Sequence, residues 1–125
     1  MKFYQYPKCS TCRKAARFLS DSGIGFESID ITQCPPSKSE LRLMLKSYGG
    51  AIGKLFNTSG LQYRELNMKD KLPAMNNAQA IDLLSKNGML IKRPFLVTND
   101  SASTDGRHGL VGFNEADWQA FIRSS

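Results

Sequence analysis

The sequence predicts an α/β fold in which helices pack on a mixed four-stranded sheet. Strand, helix and strand patterns follow one another within residues 2–31, helical segments fill residues 37–88, and two strands and a helix end the chain. The predicted order is therefore β-α-β, a helical insertion, and β-β-α. A length of 125 residues suits a single domain, with a sheet-bearing core at about residues 1–34 and 89–125 and a helical subdomain inserted at about residues 35–88.

The first predicted unit is a strand, a turn and an amphipathic helix. Residues 2–6 are rich in aromatic side chains and end at Pro7, as a short strand leading into a turn does. Apolar or small residues then recur at helical spacing, which predicts a helix over residues 11–21. Those residues are Cys12, Ala15, Ala16 and Leu19. Glycines at positions 23 and 25 end the helix, and residues 26–31 form a second strand, which we expect to lie parallel to the first.

The middle of the chain predicts several helices. Ser37 and Glu40 have the spacing of a capping box, which predicts a helix start just after two prolines. The buried stripe of that helix is expected to be Leu41, Met44, Leu45 and Tyr48. Glycine and proline divide residues 51–73 into short helical turns. A longer helix is predicted next, capped by residue 76 or 77, ended at residues 87–88, and buried through Ala78, Ile81 and Leu84.

The last part of the chain predicts a hairpin and a terminal helix. Residues 95–98 and 109–113 are strand candidates, and residues 99–107 form a polar turn region between them. Asn114 is a suitable helix cap. The inward face of the helix that follows is expected to be Trp118, Phe121 and Ile122.

Composition excludes several function classes. The net charge of +6 makes acidic partners or anionic substrates worth considering, but no run of five cations occurs, so a solvated basic surface is favoured. The scattering of the cations also argues against direct nucleic-acid binding. The apolar runs are too short for a secretory signal or a membrane span, and we therefore expect a cytoplasmic protein without a membrane partner. In that reducing compartment the three cysteines are expected to act as individual thiols rather than as a disulfide framework.

Cys9 and Cys12 are the candidate catalytic pair. They are three positions apart at a predicted helix start, so a disulfide can close between them. The free amides and positive end of the helix favour an anion at Cys9, and Lys8 and Arg13 add positive charge nearby. Cys9 is then the nucleophile and Cys12 the resolving thiol. The alternative interpretation is that both are merely small residues of a helix start.

No metal site is predicted, because only Cys34 and His108 remain as soft ligands and both are distant in sequence from the pair. Cys34 follows the second strand in a predicted loop, where it is either an exposed spare thiol or a second resolving cysteine. His108 has no acidic or cysteine neighbour in sequence and is interpreted as a surface residue.

Residues 7–15, Pro-Lys-Cys-Ser-Thr-Cys-Arg-Lys-Ala, resemble the active-site turn of the arsenate reductase (ArsC)/Spx family. Further matching segments follow in family order at residues 35–41, 55–56, 63–66 and 91–95. The resemblance implies a thioredoxin-like fold with Cys9 as the reactive cysteine. It also implies that Arg93 approaches Cys9 and binds an anion or substrate, and that the next residue, Pro94, is cis. The candidate substrate-binding set is Lys8, Ser10, Thr11, Arg13 and Pro94.

Two departures from the family pattern argue against arsenate as the substrate. The arsenate reductases carry an arginine after the apolar pair that matches Leu55-Phe56, whereas this chain has Asn57. A further arginine expected late in the hairpin is replaced near Gly112, where the chain is similar to the Spx-like branch. A bound oxyanion needs several convergent charged donors, so the loss of two guanidiniums should weaken its binding.

Three functions follow as hypotheses. The first is a thiol–disulfide oxidoreductase that uses Cys9, Cys12 and Arg93, with glutathione or thioredoxin as co-substrate and no bound cofactor. The second is an Spx-like redox-sensing regulator that binds RNA polymerase. The third is an arsenate reductase coupled to glutathione or thioredoxin. The partner is thus a thiol or disulfide substrate, a small oxyanion, or RNA polymerase, and we expect the protein itself to be a monomer.

Overall fold

The computed structural model describes residues 1–98 and 106–124. Its strands are β1 (Lys2–Gln5), β2 (Glu27–Asp30), β3 (Phe95–Val97) and β4 (Gly109–Val111). Its α-helices are α1 (Ser10–Asp21), α2 (Lys38–Ser47), α3 (Leu61–Glu65), α4 (Met68–Lys71), α5 (Asn77–Lys86) and α6 (Glu115–Ser124). Short 3₁₀ segments cover Ile52–Leu55, Leu72–Ala74 and Gly88–Leu90. We call everything from α2 to the last of these segments the helical block.

The four strands form one mixed sheet in the order β2-β1-β3-β4. β1 pairs in parallel with β2, with Phe3 opposite Ser28, and in antiparallel with β3, with Phe3 opposite Leu96. β3 and β4 form the predicted antiparallel hairpin. The predicted β-α-β and β-β-α order is therefore confirmed, and the arrangement is thioredoxin-like.

Alternate side chains of the strands supply two cores on opposite faces of the sheet. Phe3 and Leu96 point to α1 and α6, where they pack in a cluster with Ala15, Leu19, Leu110, Trp118 and Phe121. Tyr4, Phe95 and Val97 point to the other face and join a larger cluster with the helical block, including Leu41, Met44, Phe56 and Leu84. The sheet thus separates the helix that begins at the cysteines from the helical block.

Helix starts follow the predicted capping chemistry. Ser37 caps α2 in a complete capping box with Glu40, and Asn76 caps α5 in a second box with Gln79. The Asn114 side chain accepts the backbone N–H of Asp117 at 3.0 Å, as expected for the cap of α6. These side chains satisfy amides that a helix start leaves without partners.

The structure differs from the predicted elements mainly in length. One predicted core residue was wrong, since Ala78 is exposed and Ala80 is buried in α5 together with Ile81 and Leu84. The last strand ends at Val111 rather than at residue 113, because Gly112 has φ +68° and leaves the extended conformation. Residues 51–73 fold into α3, α4 and 3₁₀ segments, as the divided pattern indicated. Most of the predicted polar turn, residues 99–105, lies outside the described residues. No helix in the described ranges is long and apolar enough to cross a membrane.

Candidate active site

The cysteine turn, residues 9–12, joins β1 to α1. Cys9 is the N-cap of α1, with extended backbone angles (φ −92°, ψ 113°), and its Sγ accepts the backbone N–H of Cys12 at 3.3 Å. The Cys9 N–H donates to the Tyr6 carbonyl at 3.0 Å, which fixes the turn. The Cys9 side chain is half-buried. Its sulfur therefore lies at the positive end of the helix dipole and remains accessible.

Cys12 lies beneath this turn in a very different environment. Its side chain is buried, with 1% of its surface exposed. Burial, followed by the hydrogen bond between the Cys12 thiol and Cys9, raises the pKa of Cys12 to about 12, although a backbone hydrogen bond with Tyr6 and the charge of Arg93 act in the opposite direction. Cys12 is thus a neutral thiol at physiological pH, next to the sulfur of Cys9. Neither cysteine is in a disulfide.

Arg93 approaches the cysteine turn from the start of β3. Its guanidinium carbon lies 5.2 Å from the centre of the Tyr6 ring, and its Nη1 donates to the Met89 sulfur at 3.2 Å. The peptide bond between Arg93 and Pro94 is cis, which confirms that part of the prediction. These contacts orient the guanidinium and leave its charge without a carboxylate partner among the described residues.

A cleft of about 340 Å³ opens beside Cys9. Its lining consists of Cys9, Thr11, Asn57, Lys92, Arg93, Gly112 and Phe113. The structure therefore brings three of the predicted site residues together around one space: Cys9, Thr11 and Arg93.

The other predicted site residues do not line this cleft. Lys8, Ser10 and Arg13 are exposed, and the Arg13 Nη1 donates to the Pro7 carbonyl at 3.1 Å. Pro94 is buried, and its carbonyl accepts the N–H of Gly112 at 2.9 Å. These four residues lie in or around the cysteine turn, and two of them reach residues of the cleft through their backbones: the Arg13 N–H donates to the Cys9 carbonyl at 3.2 Å, and the Pro94 carbonyl accepts from Gly112.

Cys34 and His108 also lie apart from the site. Cys34 is exposed in the turn after β2. His108 is half-buried beside β4, where its backbone N–H donates to the Ser47 hydroxyl at 2.8 Å. Neither residue belongs to the lining of the cleft beside Cys9.

Two cations near the cleft were missed by the sequence reasoning, namely Lys92 and Lys54. The helical block brings them close, because Phe56 pairs with Ile91 in an isolated antiparallel bridge. The Lys92 N–H donates to the Leu55 carbonyl at 2.8 Å within this crossing. The signal that could have found Lys92 was its position immediately before Arg93 in the matching segment; nothing in the sequence pointed to Lys54.

Asn57 and Gly112 line the cleft at the two positions where the arsenate reductases were expected to carry arginine. Gly112 also accommodates Lys92, since a Cβ atom at position 112 would lie 2.8 Å from the Lys92 Cε atom. The lining consequently contains a single guanidinium, that of Arg93, together with the ammonium of Lys92.

A larger groove of about 440 Å³ is lined by residues of α1 and α6, among them Lys14, Arg17 and Glu115. It contains no cysteine. Because volume alone supplies no chemistry, the smaller cleft that contains Cys9 is the candidate active site.

Residues 4–121 match the model of the ArsC family. The chain belongs to the ArsC family. Among curated relatives of this ArsC-family chain, the uncharacterized protein YusI of Bacillus subtilis is 44% identical over 95% of both chains. The global transcriptional regulator Spx of Streptococcus mutans is 27% identical, over 93% of this chain and 78% of its own.

Solved structures agree with this family assignment. An ArsC family related protein from Bacteroides fragilis superposes with a TM-score of 0.83 at 39% identity, covering 96% of this chain and 95% of its own. The thioredoxin-like fold predicted from the resemblance is therefore confirmed. Family membership supports a thiol oxidoreductase-like or Spx-like protein, and the specific function has to be argued from the site.

Proposed function

We propose that this protein is a thiol–disulfide oxidoreductase in which Cys9 attacks a disulfide and Cys12 resolves the product. One observation carries the proposal: the accessible Cys9 sulfur accepts the Cys12 amide at the start of α1, while the Cys12 thiol is buried directly beneath it. An accessible attacking sulfur and a protected neutral thiol close to it are the two groups that such a reaction needs at its start.

The reaction proceeds in two exchanges. The Cys9 thiolate attacks one sulfur of a substrate disulfide, the substrate S–S bond breaks, and one substrate thiolate leaves and takes a proton from water. Cys12 then loses its proton to solvent and attacks the Cys9 sulfur. The mixed disulfide breaks, the second substrate thiolate leaves, and the Cys9–Cys12 disulfide remains. Two electrons have passed from the protein to the substrate.

A dithiol such as thioredoxin, or two molecules of glutathione, returns the oxidised pair to its thiol form and is itself oxidised to a disulfide. The role proposed for Arg93 is to hold a negatively charged group of the substrate next to Cys9. Its charge also favours the thiolate of Cys12 during the second exchange, since Arg93 acts to lower the pKa of that thiol.

The test combines a redox titration with disulfide mapping by mass spectrometry and a turnover assay on small disulfides. We expect a Cys9–Cys12 disulfide and loss of turnover in Cys9→Ser. Cys34→Ser is the matched control, because Cys34 is exposed and lies outside the cleft. Unchanged turnover in Cys9→Ser, or a disulfide that involves Cys34 in place of Cys12, would refute the proposal.

A second function is favoured by the relation to Spx, which extends over 93% of this chain. In this alternative proposal the same cysteine pair is a switch, and its oxidation changes binding to RNA polymerase. The two proposals are separated by a pull-down of purified RNA polymerase under oxidising and reducing conditions. Redox-dependent binding together with negligible disulfide turnover favours the regulator.

Arsenate reduction is the third proposal. Asn57 and Gly112 leave Arg93 as the single guanidinium in the lining of the cleft, so few charged donors converge on an oxyanion. We expect arsenate turnover near background in the assay that detects disulfide turnover. Arsenate turnover comparable to disulfide turnover would favour an arsenate reductase over a thiol–disulfide oxidoreductase.

We further propose that the protein acts as a cytoplasmic monomer. A reducing compartment supplies the thiols that the cycle consumes. Sedimentation of the purified protein with both cysteines reduced measures the oligomeric state, and cell fractionation measures the location.

A further inference from the structure

We propose that the cleft beside Cys9 continues into a second pocket, and that together they select disulfides carrying two or more carboxylates. This inference rests on the proposed function and adds its substrate class. It concerns Lys54, Lys92 and Arg93, which we call the cationic wall.

The two spaces adjoin each other through one residue. The second pocket has a volume of about 220 Å³ and is lined by Tyr48, Lys54, Lys92 and Val111. Lys92 also lines the cleft that contains Cys9. A substrate whose sulfur reaches Cys9 therefore lies beside Arg93 and Lys92, and Lys54 lies on the other side of Lys92 in the adjoining pocket.

The charged side chains that line the two spaces are all positive. Neither lining includes an aspartate or a glutamate. Within residues 1–98 and 106–124, no carboxylate forms an ion pair with any residue of the cationic wall. By contrast, Lys38 and Lys86 both pair with Asp82. The positive charge of the cationic wall is consequently available to a ligand.

The framework behind these cations is held in place by backbone contacts. Tyr48 bridges to β4, since its hydroxyl accepts the Val111 N–H at 3.0 Å and lies 3.4 Å from the Val111 carbonyl. Lys92 is anchored through its N–H to Leu55, the residue after Lys54. The backbone positions that carry Lys54 and Lys92 are thus set by the fold, so a substrate bound at Cys9 meets Arg93 and Lys92 in the cleft and Lys54 in the adjoining pocket.

The effect of Lys54 and Lys92 on kcat/KM is expected to be modest, because both side chains are exposed. Exposed charges are screened by water and salt. We expect loss of either lysine to lower kcat/KM for an anionic disulfide by about threefold to tenfold at low salt, and to lower it less for a neutral disulfide.

A charge series of small disulfides provides the test. Dithiodipropionate carries two carboxylates, bis(2-hydroxyethyl) disulfide is neutral, and cystamine carries two ammonium groups. Glutathione disulfide is added to distinguish recognition of a peptide from recognition of carboxylates alone. Each is assayed at low and high salt with the wild type, Lys92→Gln, Lys54→Gln and the double variant. Lys69→Gln is the matched control, since Lys69 is exposed on α4 and lines neither pocket.

We expect kcat/KM, divided for each disulfide by its uncatalysed rate with a free thiol, to be highest for dithiodipropionate and lowest for cystamine, because this ratio removes the effect of the leaving thiol. The double variant should lose this preference, high salt should weaken it in the wild type, and Lys69→Gln should retain it. Turnover of all disulfides without a charge order, or a preference unchanged in the double variant, overturns this inference alone. Absence of turnover for every disulfide overturns the proposed function and this inference with it.

Discussion

The cysteine turn and the cationic wall lie beside the same cleft and its adjoining pocket but are built in different ways. The cysteine turn is four consecutive residues at one helix start, where Cys9 accepts an amide and Cys12 is buried. The cationic wall combines Lys54, from the helical block, with Lys92 and Arg93, from the segment that enters β3. The difference teaches that thiol chemistry is established locally, whereas the choice of substrate depends on tertiary structure.

The two regions should also differ in how sharply they respond to substitution. Burial and short hydrogen bonds act on the cysteines, while the lysines of the wall lie in solvent, where charge is screened. Substitutions in the cysteine turn are expected to stop turnover. Substitutions in the cationic wall are expected to lower kcat/KM without stopping turnover.

The largest effect is expected from Cys12→Ser. Cys9 still attacks the substrate in this variant, but no thiol resolves the mixed disulfide, so turnover through the Cys9–Cys12 disulfide stops and one substrate half remains attached to Cys9. Intact-mass spectrometry measures the adduct. Cys34→Ser, which should turn over normally, is the control. Normal turnover in Cys12→Ser without accumulation of an adduct would contradict this role and point to a reaction that needs Cys9 alone.

The second prediction concerns alkaline stability. The pKa of Cys12 rises from 9.0 to about 12 in the folded protein, mainly through burial. The neutral thiol therefore favours the folded state below pH 9, and this stability is lost as the pH rises toward 12, because the unfolded chain ionises first. The free energy of unfolding should fall up to about 1.4 kcal/mol per pH unit more steeply in the reduced wild type than in Cys12→Ala.

Denaturant unfolding at a series of pH values measures this difference. Other groups with raised pKa values, such as Tyr48, are common to both proteins and cancel in the comparison. Equal slopes for the two proteins above pH 9 would show that Cys12 is not protected in the folded state.

In the cationic wall, Arg93→Ala should have the largest effect. A charge-assisted hydrogen bond to an anionic substrate is worth about 1.5–3 kcal/mol, so kcat/KM should fall about tenfold to a hundredfold. Arg93→Lys should recover part of the loss, since it retains the charge but not the two-pronged geometry. Steady-state kinetics with dithiodipropionate measures both. An equal loss in the two variants would indicate that the planar geometry of the guanidinium matters more than its charge.

Gly112→Ala should have the smallest effect. The glycine has φ +68°, and an added Cβ atom would lie 2.8 Å from the Lys92 Cε atom. We expect about 1 kcal/mol of lost stability and a loss of a few fold in kcat/KM confined to anionic disulfides, because Lys92 has to move. Gly25→Ala is the control, since no atom lies within 4 Å of its added Cβ and its φ is not positive. A loss that is equal for neutral and anionic disulfides would exclude an effect through Lys92.

Much of the fold could be predicted because its signals are local. The capping box of Ser37 and Glu40 and the helical spacing after Cys12 correspond to elements of the structure within a residue or two. The end of β4 could not be predicted, because the left-handed turn at Gly112 is stabilised by contacts from other segments. Its N–H donates to the Pro94 carbonyl, and its carbonyl accepts the Trp118 Nε1 at 2.9 Å.

The candidate site likewise has residues that local sequence signals predict and residues whose positions depend on contacts with other segments. Cys9 and Thr11 were predictable from one turn, and Arg93 was found through the family resemblance. Lys8, Ser10 and Arg13 lie in or next to that turn in sequence, but they are exposed and line no part of the cleft. Lys54 could not be predicted, because its position depends on the crossing of residues 55–57 with residues 90–92.

That crossing has an evolutionary and practical consequence. The N–H groups of Asn57 and Lys92 donate to the carbonyls of Leu90 and Leu55, and these main-chain hydrogen bonds do not depend on the side chains at positions 57 and 92. Amino acids can therefore be exchanged at these two positions with the main-chain hydrogen bonds of the crossing retained. The substrate preference of one reactive cysteine pair can in this way be changed through the residues that surround it. A library randomised at positions 54, 57 and 92 is a direct route to redesigning that substrate preference.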